Sequence, residues 1–88
     1  MKIVFDPKKD AINQMKHGMS LANAAWLDWS TLIANQDTRR DYGEIRMIGM
    51  GYIGRRLHVV VYLGHDDVRR VISLRKANKR EEKHYAQA

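Results

Sequence analysis

The sequence predicts an α+β fold: two helices, about four antiparallel strands and a last helix. Three observations carry this. Arg56–Ala77 holds two β-branched runs, Leu57–Leu63 and Val68–Leu74, around a polar break with Gly64, Asp66 and Asp67, which is hairpin chemistry. Asp6-Pro7 and Ser20 are helix starts ahead of it. Asn78, with Glu81 three residues on, is a capping box after it.

In order, Met1–Phe5 is a short apolar strand or a packed lead-in. Asp6 caps a helix over Pro7–His17, and Gly18 supplies the left-handed residue that ends it. Ala11, Ile12 and Met15 are its expected buried stripe. Lys9, Asn13, Lys16 and His17 share another face by three- and four-residue spacing. A second helix is expected over Leu21–Asp28, with Leu21, Ala24 and Ala25 inward. Trp26 and Trp29 are expected in the core or at its edge, given the area an aromatic buries.

Thr31–Ala34 reads as a strand, and Ile45–Met50 as the next, after a polar stretch ending at Gly43. Gly49, Gly51 and Gly54 suggest a bulge or tight turn around Tyr52–Arg55. In the hairpin, period two puts Leu57, Val59, Val61 and Leu63 on one face and His58, Val60 and Tyr62 on the other. Ile72 and Leu74 share a face, opposite Val71, Ser73 and Arg75. Val59, Val61, Ile72 and Leu74 are expected to be buried together. Helices near Pro7–His17, Leu21–Asp28 and Lys79–Tyr85 are expected on one side of the sheet, leaving the other partly open.

The chain's 88 residues suit one domain with a modest core. There is no cysteine, so no disulfide and no cysteine-held zinc, which fits a reducing cytoplasm. No run approaches a membrane span, and the first residues lack the apolar stretch of a signal peptide. Lys and Arg number 16 against 10 acids, a net charge of +6, which points to an anionic partner. His17, His58, His65 and His84 match no metal-ligand spacing, and no phosphate loop or nucleophile elbow is present. No cofactor is expected.

What remains is a set of cations with a few proton-transfer groups: Lys9, Lys16, His17, Arg39, Arg40, Glu44, Arg46, Tyr62, Arg75 and Lys76. That set suits metal-free RNA cleavage. One group takes the 2′-hydroxyl proton, another protonates the leaving oxygen, and cations stabilise the phosphorane. His17 and Glu44 are candidates for proton transfer, with Arg46 and Arg75 on the phosphate. Lys9, Lys16, Arg39, Arg40, Tyr62 and Lys76 are candidates for holding RNA. Each also has a plainer explanation. A His at a helix C-terminus suits the dipole, and Glu44 with Arg46 makes an ordinary solvated pair. From the residues alone the chain is a small basic domain that binds nucleic acid or an acidic protein.

The chain resembles the BrnT family of bacterial type II toxins. The matching pieces, in order, are F-D-P followed by Lys9, then Asn13, Lys16-His17-Gly18, and the stretch through Asp37 and Arg40. They continue with Gly43-Glu44 and Arg46, V-V-V-Y at Val59–Tyr62, I-S-L-R-K-A at Ile72–Ala77, then Glu81 and Tyr85. The resemblance implies a RelE-like fold and a ribonuclease that stops translation. It implies a BrnA-type antitoxin with a ribbon-helix-helix domain, whose complex with the toxin binds operator DNA and accounts for most oligomerisation. On this sequence it points to Lys16, His17, Glu44, Arg46 and Arg75. The competing class is a non-catalytic relative that binds nucleic acid or an antitoxin-like acidic partner.

Overall fold

A computed structural model describes residues 1–64 and 67–88. The elements are β1 (Lys2–Val4), α1 (Pro7–His17), two 3-10 segments (Leu21–Trp26 and Trp29–Thr31), β2 (Ile33–Gln36), β3 (Met47–Ile53), β4 (Arg56–Leu63), β5 (Val68–Lys76) and α2 (Lys79–Ala86). They form an α+β domain around one five-stranded sheet, ordered β1-β5-β4-β3-β2. The expected sheet is smaller and wholly antiparallel. The lead-in Lys2–Val4 instead adds a parallel strand beside Val68–Arg70. The expected turn between β4 and β5 falls partly on His65 and Asp66, outside the described residues. The tight turn after β3 is as expected, with Gly54 at φ +60° between the paired residues Ile53 and Arg56.

The second helix is a 3-10 segment rather than an α-helix. Ser20 caps it, its side chain accepting from the Ala22 N–H at 3.1 Å. The Asp10 carboxylate pins the same corner, accepting from the Leu21 N–H at 2.7 Å and the Ser20 hydroxyl at 3.0 Å. Leu21 and Ala24 are buried, but Ala25 is exposed and Trp26 is 74% exposed, so Trp26 is not the core residue its size suggested. Trp29 is half-buried, with its indole N–H on the Ala24 carbonyl at 3.0 Å.

The two sheet faces differ from the expected split. The first face carries the main core: Val60, Tyr62, Val71 and Leu74 pack with Leu21, Ala24 and Leu27 of the 3-10 region. The second carries a smaller cluster of Leu57, Val59 and Ala77, with Ile48, Met50 and Tyr85 of α2 against it. The helices therefore do not share one side; α2 lies on the opposite face. Val59 and Val61 are buried but on a different face from Leu74, and Ile72 is only half-buried. The cause is a bulge. Tyr62 pairs with Val71 and Val61 with Ser73, so Ile72 is the extra residue and strand parity flips there. The bulge lies in β5; Gly49 and Gly51 mark something else. A Cβ at either would meet the Leu32 side chain at 2.8 Å or 2.7 Å, so these glycines seat Leu32 against β3.

Candidate active site

Helix α1 forms as the sequence dictates. The Asp6 carboxylate accepts from the Lys8 N–H at 2.8 Å, Pro7 opens the first turn, and Gly18 closes the helix at φ +67°. It docks differently from its apolar pattern. Ile12 is 53% and Met15 88% exposed, and Ala11 is exposed too, whereas Asn13 is buried. β1 pairs with β5 only over Val68–Arg70, so the edge of β5 beyond it needs partners. Asn13 supplies them: its amide NH2 donates to the Leu74 carbonyl at 2.8 Å, and its amide oxygen accepts from the Leu74 N–H at 3.0 Å. A further bond reaches the Met19 carbonyl at 2.9 Å. An apolar residue here would leave two buried backbone groups unpaired.

That docking places the polar side of α1 beside the strand. Lys9, Ile12, Lys16 and His17 line a cavity of about 310 Å³ together with Asn13, Ile72 and Ser73. The expected grouping of Lys9, Asn13, Lys16 and His17 is thus seen. Ser73 and Arg75 share one side of β5, by alternation beyond the bulge. Register carries that side across the sheet. Ser73, Val61, Ile48 and Asn35 form one row, and Arg75, Val59, Met50 and Ile33 the next.

Arg75 is held by α2. Its Nη1 and Nη2 donate to Oε1 and Oε2 of Glu81, both at 2.8 Å, and Nη1 also reaches the Lys76 carbonyl at 3.3 Å. Glu81 serves the helix start as well. Its Oε1 accepts from the Asn78 N–H at 2.9 Å, while the Asn78 side chain accepts from the Glu81 N–H at 2.8 Å. The capping box of α2 and the clamp on Arg75 are therefore one structure. Its hydrogen bonds to Arg75 pull the Glu81 carboxyl down to about 2. The hydrogen bonds to Glu81 raise the Arg75 pKa, with burial working against them. Arg75 Nε has no partner among the described residues.

A third group joins from the loop between β2 and β3. Asp37, buried at 4% exposure, extends the ladder by one bond, its N–H donating to the Arg46 carbonyl at 2.7 Å. Its carboxylate accepts from Arg39 Nε at 2.8 Å, Arg39 Nη2 at 2.7 Å and the Tyr42 hydroxyl at 3.1 Å. These bonds, those from Arg39 foremost, hold the Asp37 carboxyl well below the usual carboxylate range and push Arg39 up. Arg46 lies over the Tyr42 ring, its Cζ 4.2 Å from the centroid, and its Nε donates to Glu44 at 3.0 Å. Arg39, Asp37, Tyr42, Arg46 and Glu44 thus form one continuous chain of contacts. Arg39 and Arg40 line an open cavity with Tyr42.

The structure groups Lys9, Lys16 and His17 at Ser73, one same-face step from Arg75. Arg39 is tied to Arg46 and Glu44 through Asp37 and Tyr42. Two expected RNA contacts do not join them. Tyr62 is in the first-face core, edge-on to Trp29 at 5.1 Å, because alternation sends it to the face opposite Val61. Lys76 pairs with His58, on the side of β5 opposite Arg75. Sequence reasoning gave no role in the site to Asp37 or Tyr42, and none to Asn13 or Ser73 beyond the faces they share with Lys16, His17 and Arg75. Asn13 gave a signal in its helical spacing, and Asp37 another, as an acid two residues from an arginine in a turn-rich stretch.

Comparison with known proteins agrees with this architecture. The family model described as the ribonuclease toxin BrnT of type II toxin–antitoxin systems matches residues 5–81. The crystal structure of the Brucella abortus ribonuclease toxin BrnT superposes with a TM-score of 0.65 at 24% identity, covering 90% of this chain and 99% of that one, a likeness of fold. No curated protein matches the chain. With the family model spanning nearly the whole domain, the chain belongs to the BrnT family of ribonuclease toxins of type II toxin–antitoxin systems.

Proposed function

We propose that the chain is an endoribonuclease that cleaves RNA without metal on the second sheet face and so inhibits translation. The observation that supports this is that Lys16 and His17 of α1 line a cavity with Ser73, two residues from Arg75 on the same side of β5, while Arg39 and Arg46 of the β2–β3 loop share the Asp37–Tyr42 network. In the reaction the 2′-oxygen attacks the neighbouring phosphorus as its proton leaves to a base. The P–O5′ bond breaks as O5′ takes a proton, giving a 2′,3′-cyclic phosphate and a 5′-hydroxyl. His17 and Glu44 are the proton-transfer groups. Arg75 meets the phosphate with Nε and the remaining Nη2 hydrogen, an edge that Glu81 leaves open, while Arg46 adds charge. Negative charge grows in the phosphorane, so fixed cations lower the barrier more than they tighten ground-state binding. Lys9, Lys16, Arg39 and Arg40 steer and hold the strand.

In this reading the fold is a RelE-like variant and the chain acts in the cytoplasm. No helix among the described residues is long and apolar enough to cross a membrane. The partner is a BrnA-type ribbon-helix-helix antitoxin whose complex with the toxin binds operator DNA and sets the oligomeric state. An acidic, amphipathic antitoxin segment suits the net charge of +6.

The test is incubation of purified chain with RNA in excess chelator and analysis of the ends. Cyclic phosphate and 5′-hydroxyl products are expected; cleavage that the chelator abolishes would refute the metal-free reaction. One observation favours a second reading, a binder without catalysis: Arg75 and Glu44 both rest in ion pairs, with Glu81 and Arg46. RNA binding without any cleavage would select it.

A further inference from the structure

The ribonuclease reading, on which this inference rests, calls for an aromatic surface beside the cations, because single-stranded bases are held by stacking. The obvious tyrosine, Tyr62, is buried in the first-face core. Tyr52 and Tyr85, the latter in α2, are turned to each other, edge to face at 5.4 Å. Trp26 is exposed, but its segment packs on the first face. Tyr42 differs from all of these. It borders an open cavity of about 410 Å³ whose other lining residues are Arg39 and Arg40.

Tyr42 is also fixed in place. Its hydroxyl donates to the buried Asp37 carboxylate, and the Arg46 guanidinium covers its ring at 4.2 Å. Arg46 does not line the cavity, and Tyr42 is half-buried, so part of it stays accessible there. Arg39 is held by the same carboxylate through Nε and Nη2, yet its side chain is 66% exposed and its Nη1 has no partner among the described residues. An anchored ring beside an anchored, accessible cation suits one ligand: a base with its own phosphate.

We propose that Tyr42 is a stacking platform for one nucleobase of single-stranded RNA, flanking the scissile phosphate, with Arg39 and Arg40 on the phosphate of that nucleotide and Asp37 as the positioning residue for ring and guanidinium. The platform is sequence-tolerant, since every base has a π-face. Purines stack over more area and are favoured there.

The experiment uses short 2′-O-methyl oligonucleotides, which cannot be cleaved, with the full chain. One set carries 2-aminopurine, whose fluorescence is quenched on stacking; the other carries one abasic residue moved along the strand. Wild type is expected to quench 2-aminopurine at one position and to lose about tenfold in affinity when that position is abasic, a modest value for one base–aromatic stack. Tyr42→Leu should bind about tenfold more weakly, lose the quench and be indifferent to the abasic residue. Tyr42→Phe, which keeps the ring, should stay within about threefold of wild type. Asp37→Asn should weaken the quench without removing it. If Tyr42→Leu binds like wild type and is still weakened by the abasic residue, the platform is refuted even where RNA is cleaved normally. Failure of wild type to bind any oligonucleotide refutes both the platform and the ribonuclease reading.

Discussion

The two faces of the sheet are built from the same strands but held together differently. On the first face Leu21, Ala24, Val60, Val71 and Leu74 have no exposed surface at all. On the second, α2 covers Leu57, Val59 and Ala77, and the remainder meets solvent beside Asn35, Ser73 and the arginines. The first is held by burial of apolar area, the second by ion pairs that tie down charged groups without closing over them. The bulge at Ile72 helps keep the two apart. It lets Val71 and Leu74, three residues apart, both reach the first face, while Ser73 and Arg75 stay on the second. Stability and chemistry are thus separable by substitution.

The largest expected effect that would break this comparison is on activity. Arg75→Ala should lower the rate of RNA cleavage about 100- to 1000-fold, the range for removing one fixed donor to a developing charge. Arg75→Lys should recover little, since an ammonium lacks the planar fork. The matching first-face change is Leu74→Ala, expected to cost about 3 kcal/mol of stability by denaturant melting, as for other buried leucines. Val61→Ala, on the second face, should cost about 1 kcal/mol, nearer the usual mean for a single substitution.

Asn13→Ala touches both faces. It strips partners from the Leu74 N–H and carbonyl and should cost about 2 kcal/mol. It should also reduce cleavage, because the groove that holds His17 depends on that docking. The smallest effects are on pH dependence. His58 is buried, with its ring beside the Arg56 carbonyl, and burial, then the charges of Arg56 and Lys76, push its pKa below 6.5. The unfolded chain then binds a proton that the folded one refuses, so stability should begin to fall as pH drops below about 6.5. His58→Gln should flatten that slope. Glu81, at about 2 against an ordinary 4.5, contributes stability that is complete above 4.5 and lost as pH falls toward 2. Amide exchange in α2 should rise in that second window.

Much of the frame is legible in the sequence. Asp6-Pro7, Gly18 and the Asn78–Glu81 box place both ends of α1 and the start of α2 to the residue, because capping is local chemistry; α2 runs on to Ala86, past the expected Tyr85. The β4–β5 pairing follows from β-branched runs about a turn. The faces are not legible, because a bulge leaves no mark in composition yet inverts alternation. Apolar spacing misleads in α1, where an open strand edge demands Asn13 instead of Ile12 or Met15. For the site, His17 with Lys9 and Lys16 follows from helical spacing. Arg75 on Glu81 does not, since it joins a strand end to the next helix through a chain reversal. Sequence favours Tyr62 over Tyr42 because alternation shows that a side chain faces one side of a sheet but not which side is covered.

The most direct measurement is cleavage of one RNA by two purified variants, Arg75→Ala and Leu74→Ala, each with its melting curve. Arg75→Ala is expected to melt somewhat below wild type, having lost its pair with Glu81, and to lose at least about 100-fold in rate at a temperature where it remains folded. Leu74→Ala is expected to melt far lower, yet to cleave within about tenfold of wild type at a temperature where it remains folded. A folded Arg75→Ala protein that cleaves at the wild-type rate would contradict the assignment of the chemistry to the second face.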